Sequence, residues 1–204
     1  MITIIDYGLG NVLAFVNVYS RLNIPVSVAK TADDLIHATK LILPGVGSFD
    51  HAMQQLDRSG MRQSIEQLVL QQGMPVLGIC VGMQMLANAS DEGESPGLGW
   101  VEGKVRKFDV TEMPRGTNLP HMGWNDVKPL VDGGLFKGME QDARFYFLHS
   151  YYYECFQQKN ILAVTDYGGQ FSCAVRRDNV YGVQFHPEKS HHFGSQLLKN
   201  FAEI

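Results

Sequence analysis

Cysteine is scarce in this 204-residue chain, and the few present do not pair off. Cys80, Cys155 and Cys173 are odd in number, have no CxxC spacing and lack a His-rich companion. That argues against a disulfide framework or a zinc site, and it points to a reducing cytoplasm. Long apolar runs are missing too: no stretch approaches the length that crosses a bilayer. The run from Met1 to Ile5 closes at Asp6 without a basic flank, so it reads as a first strand and not as a signal peptide. Positive charge is not in excess. The formal net charge of -4 gives no electrostatic reason to bind nucleic acid or an anionic membrane. Repeats, low-complexity tracts and linker-like segments are also lacking, so residues 1–204 are expected to form a single domain. What remains, 45% apolar against 19% charged residues, is the balance of a soluble globular chain with material for a full core.

The first half alternates short β-rich runs with helical patterns. Ile2 to Ile5, Pro25 to Ala29, Leu41 to Leu43 and Pro75 to Ile79 are strand-like. The last is almost purely apolar, as in a parallel sheet covered on both faces. Asn11 to Leu22 sets Val12, Phe15, Val16 and Tyr19 on one helical face. Thr31 to Thr39 reads as a short helix capped by Thr31, and Phe49 to Gln72 as helical with a break at Ser59-Gly60. Pro44-Gly45 is expected to stop the third strand. The second half changes character. Val101 to Phe108, Asp126 to Pro129, Ala143 to Leu148, Ile161 to Asp166, Gln170 to Arg177 and Val180 to Phe185 are closely spaced strands. Hairpin signals stand at Gly168-Gly169 and Asp178-Asn179. Together these patterns predict an α/β fold: a mostly parallel, doubly wound sheet with right-handed crossovers. The second half adds antiparallel strands to that sheet before a closing helix, Gly194 to Phe201.

Three segments carry the chemistry. Pro75-Val-Leu-Gly-Ile-Cys80-Val-Gly-Met-Gln84 places a cysteine where an apolar strand ends and a helix begins, with Gly78 and Gly82 on either side. A nucleophile elbow needs small neighbours of this kind, and a helix N-terminus favours a thiolate. Taken alone, the segment leaves two readings equally open: a nucleophile, or a buried cysteine acting as a small apolar residue. Tyr181-Gly-Val-Gln-Phe-His186-Pro-Glu188 ends a strand on a histidine, followed two residues later by a carboxylate. His186 can serve a thiol as base and Glu188 can orient the imidazole. By itself His-Pro-Glu is more often a surface turn; both pieces at C-terminal strand ends make a site of the type that open α/β sheets build. Leu41-Ile-Leu-Pro44-Gly45-Val46-Gly47 ends a strand in a Gly-x-Gly loop that can offer backbone N–H groups to an anion, although singly it reads as an ordinary turn. The glycines of Asp6-Tyr7-Gly8-Leu9-Gly10-Asn11 do not make a dinucleotide fingerprint, because the third glycine position is Leu13.

The sequence resembles the class I, triad-type glutamine amidotransferases, and within them most closely the histidine-pathway branch, the glutaminase subunits of imidazole glycerol phosphate synthase. The resemblance rests on Asp6-Tyr-Gly-x-Gly-Asn11, Pro44-Gly-Val-Gly47, Gly78-Ile-Cys-Val-Gly-Met-Gln84, Pro120-His-Met-Gly-Trp-Asn125, Phe145-Tyr-Phe-Leu-His-Ser-Tyr151 and Gln184-Phe-His-Pro-Glu-Lys-Ser190. These occur in family order along essentially the whole chain. They imply a three-layer, flavodoxin-like amidotransferase fold, a glutaminase activity and no cofactor. By resemblance Cys80 is the nucleophile, His186 the base and acid, and Glu188 the orienting carboxylate. The oxyanion donors fall on the Val81 backbone and the Gly45-Val46-Gly47 loop. Gln84, Glu92 and the Ser150-Tyr151 backbone would hold glutamine. For Glu92, the bland reading is a solvated charge beside Asp91 and Glu94. Asn11, Trp124, Asn125, Tyr146 and Lys189 resemble partner-facing positions, although Trp124 alone could equally be core. The implied partner is a (β/α)8-barrel cyclase that makes imidazole glycerol phosphate and aminoimidazole carboxamide ribonucleotide with the ammonia it receives.

The chain departs from that pattern at Val81, where leucine is more usual, and at Ser190-His-His192-Phe-Gly194. The second departure leaves open a paralogue feeding ammonia to a surface-sugar amidination enzyme. The same elbow also suits a stand-alone cysteine γ-glutamyl hydrolase, which should need no partner. A flavodoxin-like binding module would instead take a cofactor in the Asp6 to Asn11 region and turn over no glutamine. Adjacent His191 and His192 do not share a face on a helix or a strand, so no metal is expected.

Overall fold

The computed structural model describes residues 1–111, 113–114, 117–139 and 141–204. In the first half, β1 (Ile2–Ile5), β2 (Val26–Ala29), β3 (Lys40–Gly45) and β4 (Val76–Cys80) alternate with helices. The helices are α1 (Val12–Arg21), α2 (Phe49–Arg58), α3 (Arg62–Glu66), which runs on as a π turn over Gln67–Gln71, and α4 (Val81–Gln84). The second half carries β5 (Ala89–Ser90), β6 (Gly103–Lys107), β7 (His121–Asp126), β8 (Lys128–Pro129), β9 (Arg144–His149) and β10 (Tyr151–Cys155). It closes with β11 (Ile161–Asp166), β12 (Gln170–Arg177), β13 (Val180–Val183) and α5 (His191–Glu203).

Strands β2-β1-β3-β4-β13 pair in parallel, in that order. Every residue of β1, β4 and β13 is buried, as expected where a parallel sheet is covered on both faces. From β13 the sheet continues antiparallel through β12, β10 and β6, while β11 branches from β12 and β8 pairs with β11. The hairpins expected at Gly168-Gly169 and Asp178-Asn179 join β11 to β12 and β12 to β13.

The structure redraws several elements. Strand β3 does not stop before Pro44-Gly45 but runs through both, with Pro44 beside Ile79 and Gly45 beside Cys80. The Leu41 N–H bonds to the Pro75 carbonyl on the β4 side, so by alternation the Pro44 nitrogen faces β1. Pairing with β1 has already ended at Ile42, and no ladder bond is asked of the proline. The helix expected over Thr31 to Thr39 shrinks to a 3-10 turn, Ala32–Leu35, whose one buried apolar residue is Leu35. One apolar anchor is too little packing to hold a longer helix. The closing helix starts at His191, three residues earlier than its apolar pattern suggests. Three further strands carried no signal strong enough to mark them: β5, β7 and β10. Nor do all the added strands join the main sheet: β7 and β9 form a separate two-stranded sheet, with His121 opposite His149 and Asp126 opposite Arg144. Its inward face carries Phe145 and Phe147, and Phe145 stacks on Phe185 at a centroid distance of 3.9 Å. That packing seats the small sheet beside the strand end that delivers His186.

Candidate active site

Three strand ends converge on one cavity: β3 leads into Val46 and Gly47, β4 ends on Cys80, and the segment leaving β13 delivers His186. This is the C-terminal edge of the parallel strands, where open α/β sheets bind ligands. Cys80 caps α4 with φ 56° and ψ -113°, a left-handed conformation that a residue with a side chain adopts only under constraint. The constraint is visible in the glycines around it. A Cβ on Gly82 would strike the Leu43 carbonyl, one on Gly45 would meet the Gly82 nitrogen, and one on Gly78 would meet the Gly82 carbonyl. Gly78 and Gly82 therefore supply space rather than unusual torsions; the positive φ falls on Cys80 itself. Helix α4 is a single turn, so little macrodipole stands behind the thiol, less than a full-length helix would supply.

Beside the thiol lies His186, with Nδ1 2.8 Å from Glu188 Oε1. Both side chains are almost fully buried. Glu188 Oε2 is buried with no hydrogen-bond partner among the described residues, so the imidazole is the carboxylate's principal counter-charge. Burial alone would lower the His186 pKa, but the hydrogen bonds the ring donates to the Cys80 sulfur and the Glu188 carboxylate outweigh it and push the value up to about 10. The ring is held as an imidazolium between the Cys80 sulfur on one side and the Glu188 carboxyl group on the other. Cys80 Sγ also lies 3.8 Å from Gln184 Nε2 and 3.9 Å from the Leu148 carbonyl. Cys155 is half-buried against its own turn and Cys173 fully buried in β12; burial pushes both thiols up, Cys173 strongly, and leaves them protonated.

The cavity in front of Cys80 measures about 310 Å3, near the lower bound for ligand clefts. Of the residues singled out from the sequence, Val46, Gly47, Val81, Gln84, Glu92, Ser150, Tyr151 and His186 line it. Gly45 does not; it sits one residue back inside β3, paired with Cys80. Gln84 is buried, with Nε2 shared between Gln184 Oε1 at 3.0 Å and the Tyr151 carbonyl at 3.3 Å. Glu92 is more than a solvated charge. It is half-buried, and Oε2 accepts from the Phe49 N–H at the start of α2 at 2.8 Å. Lys189 lines the cavity as well, its ammonium 5.9 Å above the Tyr146 ring.

Of the remaining positions expected to face a partner, Asn11 is an exposed N-cap, accepting from Ala14 N–H at 3.3 Å. Trp124 is exposed and stacks flat on His191 at 5.3 Å, so it is not core. Asn125 is turned inward, where its amide donates to the Asp166 carbonyl at 2.8 Å and faces His121 Nε2 at 3.3 Å. Among the described residues no group of three or more His, Cys, Asp or Glu side chains could hold a metal, and no helix is long and apolar enough to cross a membrane.

Sequence reasoning missed two buried histidines. His149 lines the cavity, and its Nε2 lies 2.9 Å from His121 Nδ1. The signal was available in β9, where Phe145, Phe147 and His149 alternate on one face; a histidine closing an apolar face calls for a partner.

The family model described as glutamine amidotransferase class-I matches residues 3–204. Over the full length of both chains, the protein is 66% identical to the imidazole glycerol phosphate synthase subunit HisH of Bdellovibrio bacteriovorus and 51% identical to that of Leptospira interrogans. A crystal structure of a glutamine amidotransferase superimposes with a TM-score of 0.75 at 18% identity, covering 100% of this chain and 99% of that one. PurLQS from Thermotoga maritima gives 0.74 at 16% identity, covering 99% and 97%. The last two speak for the fold alone. With the family model spanning nearly every residue, the chain belongs to the class I glutamine amidotransferases.

Proposed function

We propose that this chain is the glutaminase subunit of an imidazole glycerol phosphate synthase, with Cys80, His186 and Glu188 as its catalytic residues. The observation that carries the reading is the row itself: a strained cysteine and an imidazole with its pKa raised to about 10 on one cavity wall, and a buried carboxylate behind the imidazole. The full-length identity to HisH subunits supports the histidine pathway over a surface-sugar acceptor.

The Cys80 thiolate attacks the side-chain amide carbon of glutamine. The Val81 N–H and the peptides of the Val46-Gly47 loop stabilise the oxyanion, and His186 gives its proton to the departing ammonia. The same imidazole, now neutral, then takes a proton from water, which hydrolyses the thioester to glutamate. Glu92 suits the substrate ammonium, and the Ser150-Tyr151 backbone suits its carboxylate. Ammonia released into neutral water would mostly protonate and cease to be a nucleophile, so it passes to a partner, a (β/α)8-barrel cyclase. The docking face is the outer side of the β7–β9 sheet, where Met122, Trp124 and Leu148 are exposed and Tyr146 half-exposed. Val46 and Leu148 also border the cavity, so a partner docked there would cover its mouth.

The test is glutamine hydrolysis by the chain alone, with a barrel cyclase, and with the cyclase carrying its ligand. Strong activation by the loaded complex, together with glutamine-dependent formation of imidazole glycerol phosphate, is expected. Full glutaminase activity without any partner would overturn the assignment as a subunit.

A further inference from the structure

The buried pair His121 and His149 takes no part in the chemistry at Cys80, yet it stands on the substrate side of the cavity. Its hydrogen bonds allow a single assignment of protons. His149 Nδ1 is 2.7 Å from the Tyr151 carbonyl, which can only accept, so Nδ1 carries the hydrogen. His149 Nε2 is then a bare acceptor, and His121 Nδ1 at 2.9 Å must donate to it. That leaves His121 Nε2 as the acceptor facing the Asn125 amide at 3.3 Å, and the same amide donates to the Asp166 carbonyl at 2.8 Å. Both rings are neutral, each holds one tautomer, and all donors run in one direction from β7 toward the cavity.

Packing leaves these rings no freedom to turn. His121 is sandwiched between Tyr167 at 3.8 Å and Phe147 at 4.6 Å, each within 17° of parallel. His149 is walled by Phe108, Phe147 and Phe171. The row ends on the Tyr151 carbonyl, whose second lone pair takes Gln84 Nε2 at 3.3 Å. Both lone pairs of that oxygen are occupied, so the peptide plane after Tyr151 is held from two sides.

We infer that His121 and His149 are positioning residues for substrate binding: through the His149 Nδ1–H bond to the Tyr151 carbonyl they set the orientation of the Ser150-Tyr151 backbone that receives the α-carboxylate of glutamine. The inference rests on the glutaminase reading. It assigns the pair to recognition of the amino-acid end of the substrate and not to thiol chemistry.

Two reagents for Cys80 separate those roles. 6-Diazo-5-oxo-L-norleucine carries the α-amino and α-carboxylate groups of glutamine; iodoacetamide carries neither. Alkylation of Cys80 in the purified wild-type chain is followed by mass spectrometry against reagent concentration. With His149→Gln, whose amide falls at the Nε2 position, the half-saturating concentration of the diazo reagent should rise about tenfold, the worth of one well-placed hydrogen bond. The maximal rate and the iodoacetamide rate should stay within about twofold. With His149→Asn, whose amide reproduces the Nδ1 donor, most of the affinity should return. His121→Phe, which leaves His149 Nε2 without its donor, should fall between them; it gives the same reading should His149→Gln not fold. Equal half-saturation in wild type and the variants would overturn the inference. So would an equal loss of rate with both reagents, since that places the effect on the thiol. Wild-type Cys80 that alkylates with iodoacetamide but shows no saturation with the diazo reagent would sink the glutaminase reading itself, and this inference with it.

Discussion

His186 and His149 line the same cavity, are buried to nearly the same degree, and sit on opposite sides of the neutral point. His186 faces the Cys80 sulfur and the Glu188 carboxylate, which lift its pKa to about 10 against the pull of burial. His149 faces a carbonyl and another imidazole. Burial dominates there and takes it down to about 3, with His121 down to about 4. Desolvation acts on both sites in the same direction, so the partners alone decide which ring is charged. A buried histidine therefore predicts nothing until its neighbours are known. Here one cavity holds a cationic ring beside a thiol and a neutral row beside a backbone carbonyl.

The sharpest test of that contrast lies on the charged side. Cys80→Ala should lower glutamine-dependent synthesis by at least about a thousandfold, the scale on which removing a nucleophile acts. Synthesis from added ammonium salts by the same complex should be unchanged; loss of both activities in a folded complex would contradict the division of labour. Next in size, His186→Ala should be nearly as damaging as loss of the thiol. Glu188→Gln should cost about a hundredfold or more yet leave measurable turnover, because a carboxylate that orients the ring is partly replaceable and the proton carrier is not. Steady-state glutaminase rates of the two variants, each with the partner, give the order.

The two sites should also bend stability in opposite directions with pH. His121 and His149 have folded pKa values below the unfolded value of about 6.5, so their contribution is full above that value. It is lost on acidification as the unfolded chain takes up protons that the pair refuses, down through about pH 4 for His121 and about pH 3 for His149. His186 is raised, so its contribution is full below about pH 6.5 and is lost as pH rises through about 10. Denaturant midpoints measured across pH should show both slopes, each worth on the order of a few kcal/mol. His121→Phe should flatten the acid limb alone; an unchanged acid limb would mean that the pair is not the titrating element. A smaller effect comes from the frame under the nucleophile. Gly82→Ala forces a Cβ onto the Leu43 carbonyl and should cost about 1–3 kcal/mol, read from the same midpoints. Smallest of all, Cys155→Ser should leave glutaminase turnover within about twofold, since that thiol only closes its own turn at the Gln157 carbonyl.

Much of this architecture was legible in the chain alone. Periodicity and turn residues are local, so β1, β4, α1 and both late hairpins stand where the pattern put them. The elbow and the His-Pro-Glu were visible for the same reason, because each is built within ten residues. Local pattern failed where a distant partner set the outcome. Pro44 stays in a strand because pairing with β1 ends two residues earlier. The small β7–β9 sheet stands apart from the main one, with Phe145 packed on Phe185 from the strand that carries His186. Residue types and their order along the chain determined the candidate nucleophile, its candidate base and the parallel sheet. Only the tertiary structure decided which imidazole is charged, because His186 is raised by Cys80, 106 residues earlier in sequence, while His149 is lowered by burial that only folding creates. Electrostatic energy follows distance in space, which the chain reaches only by folding.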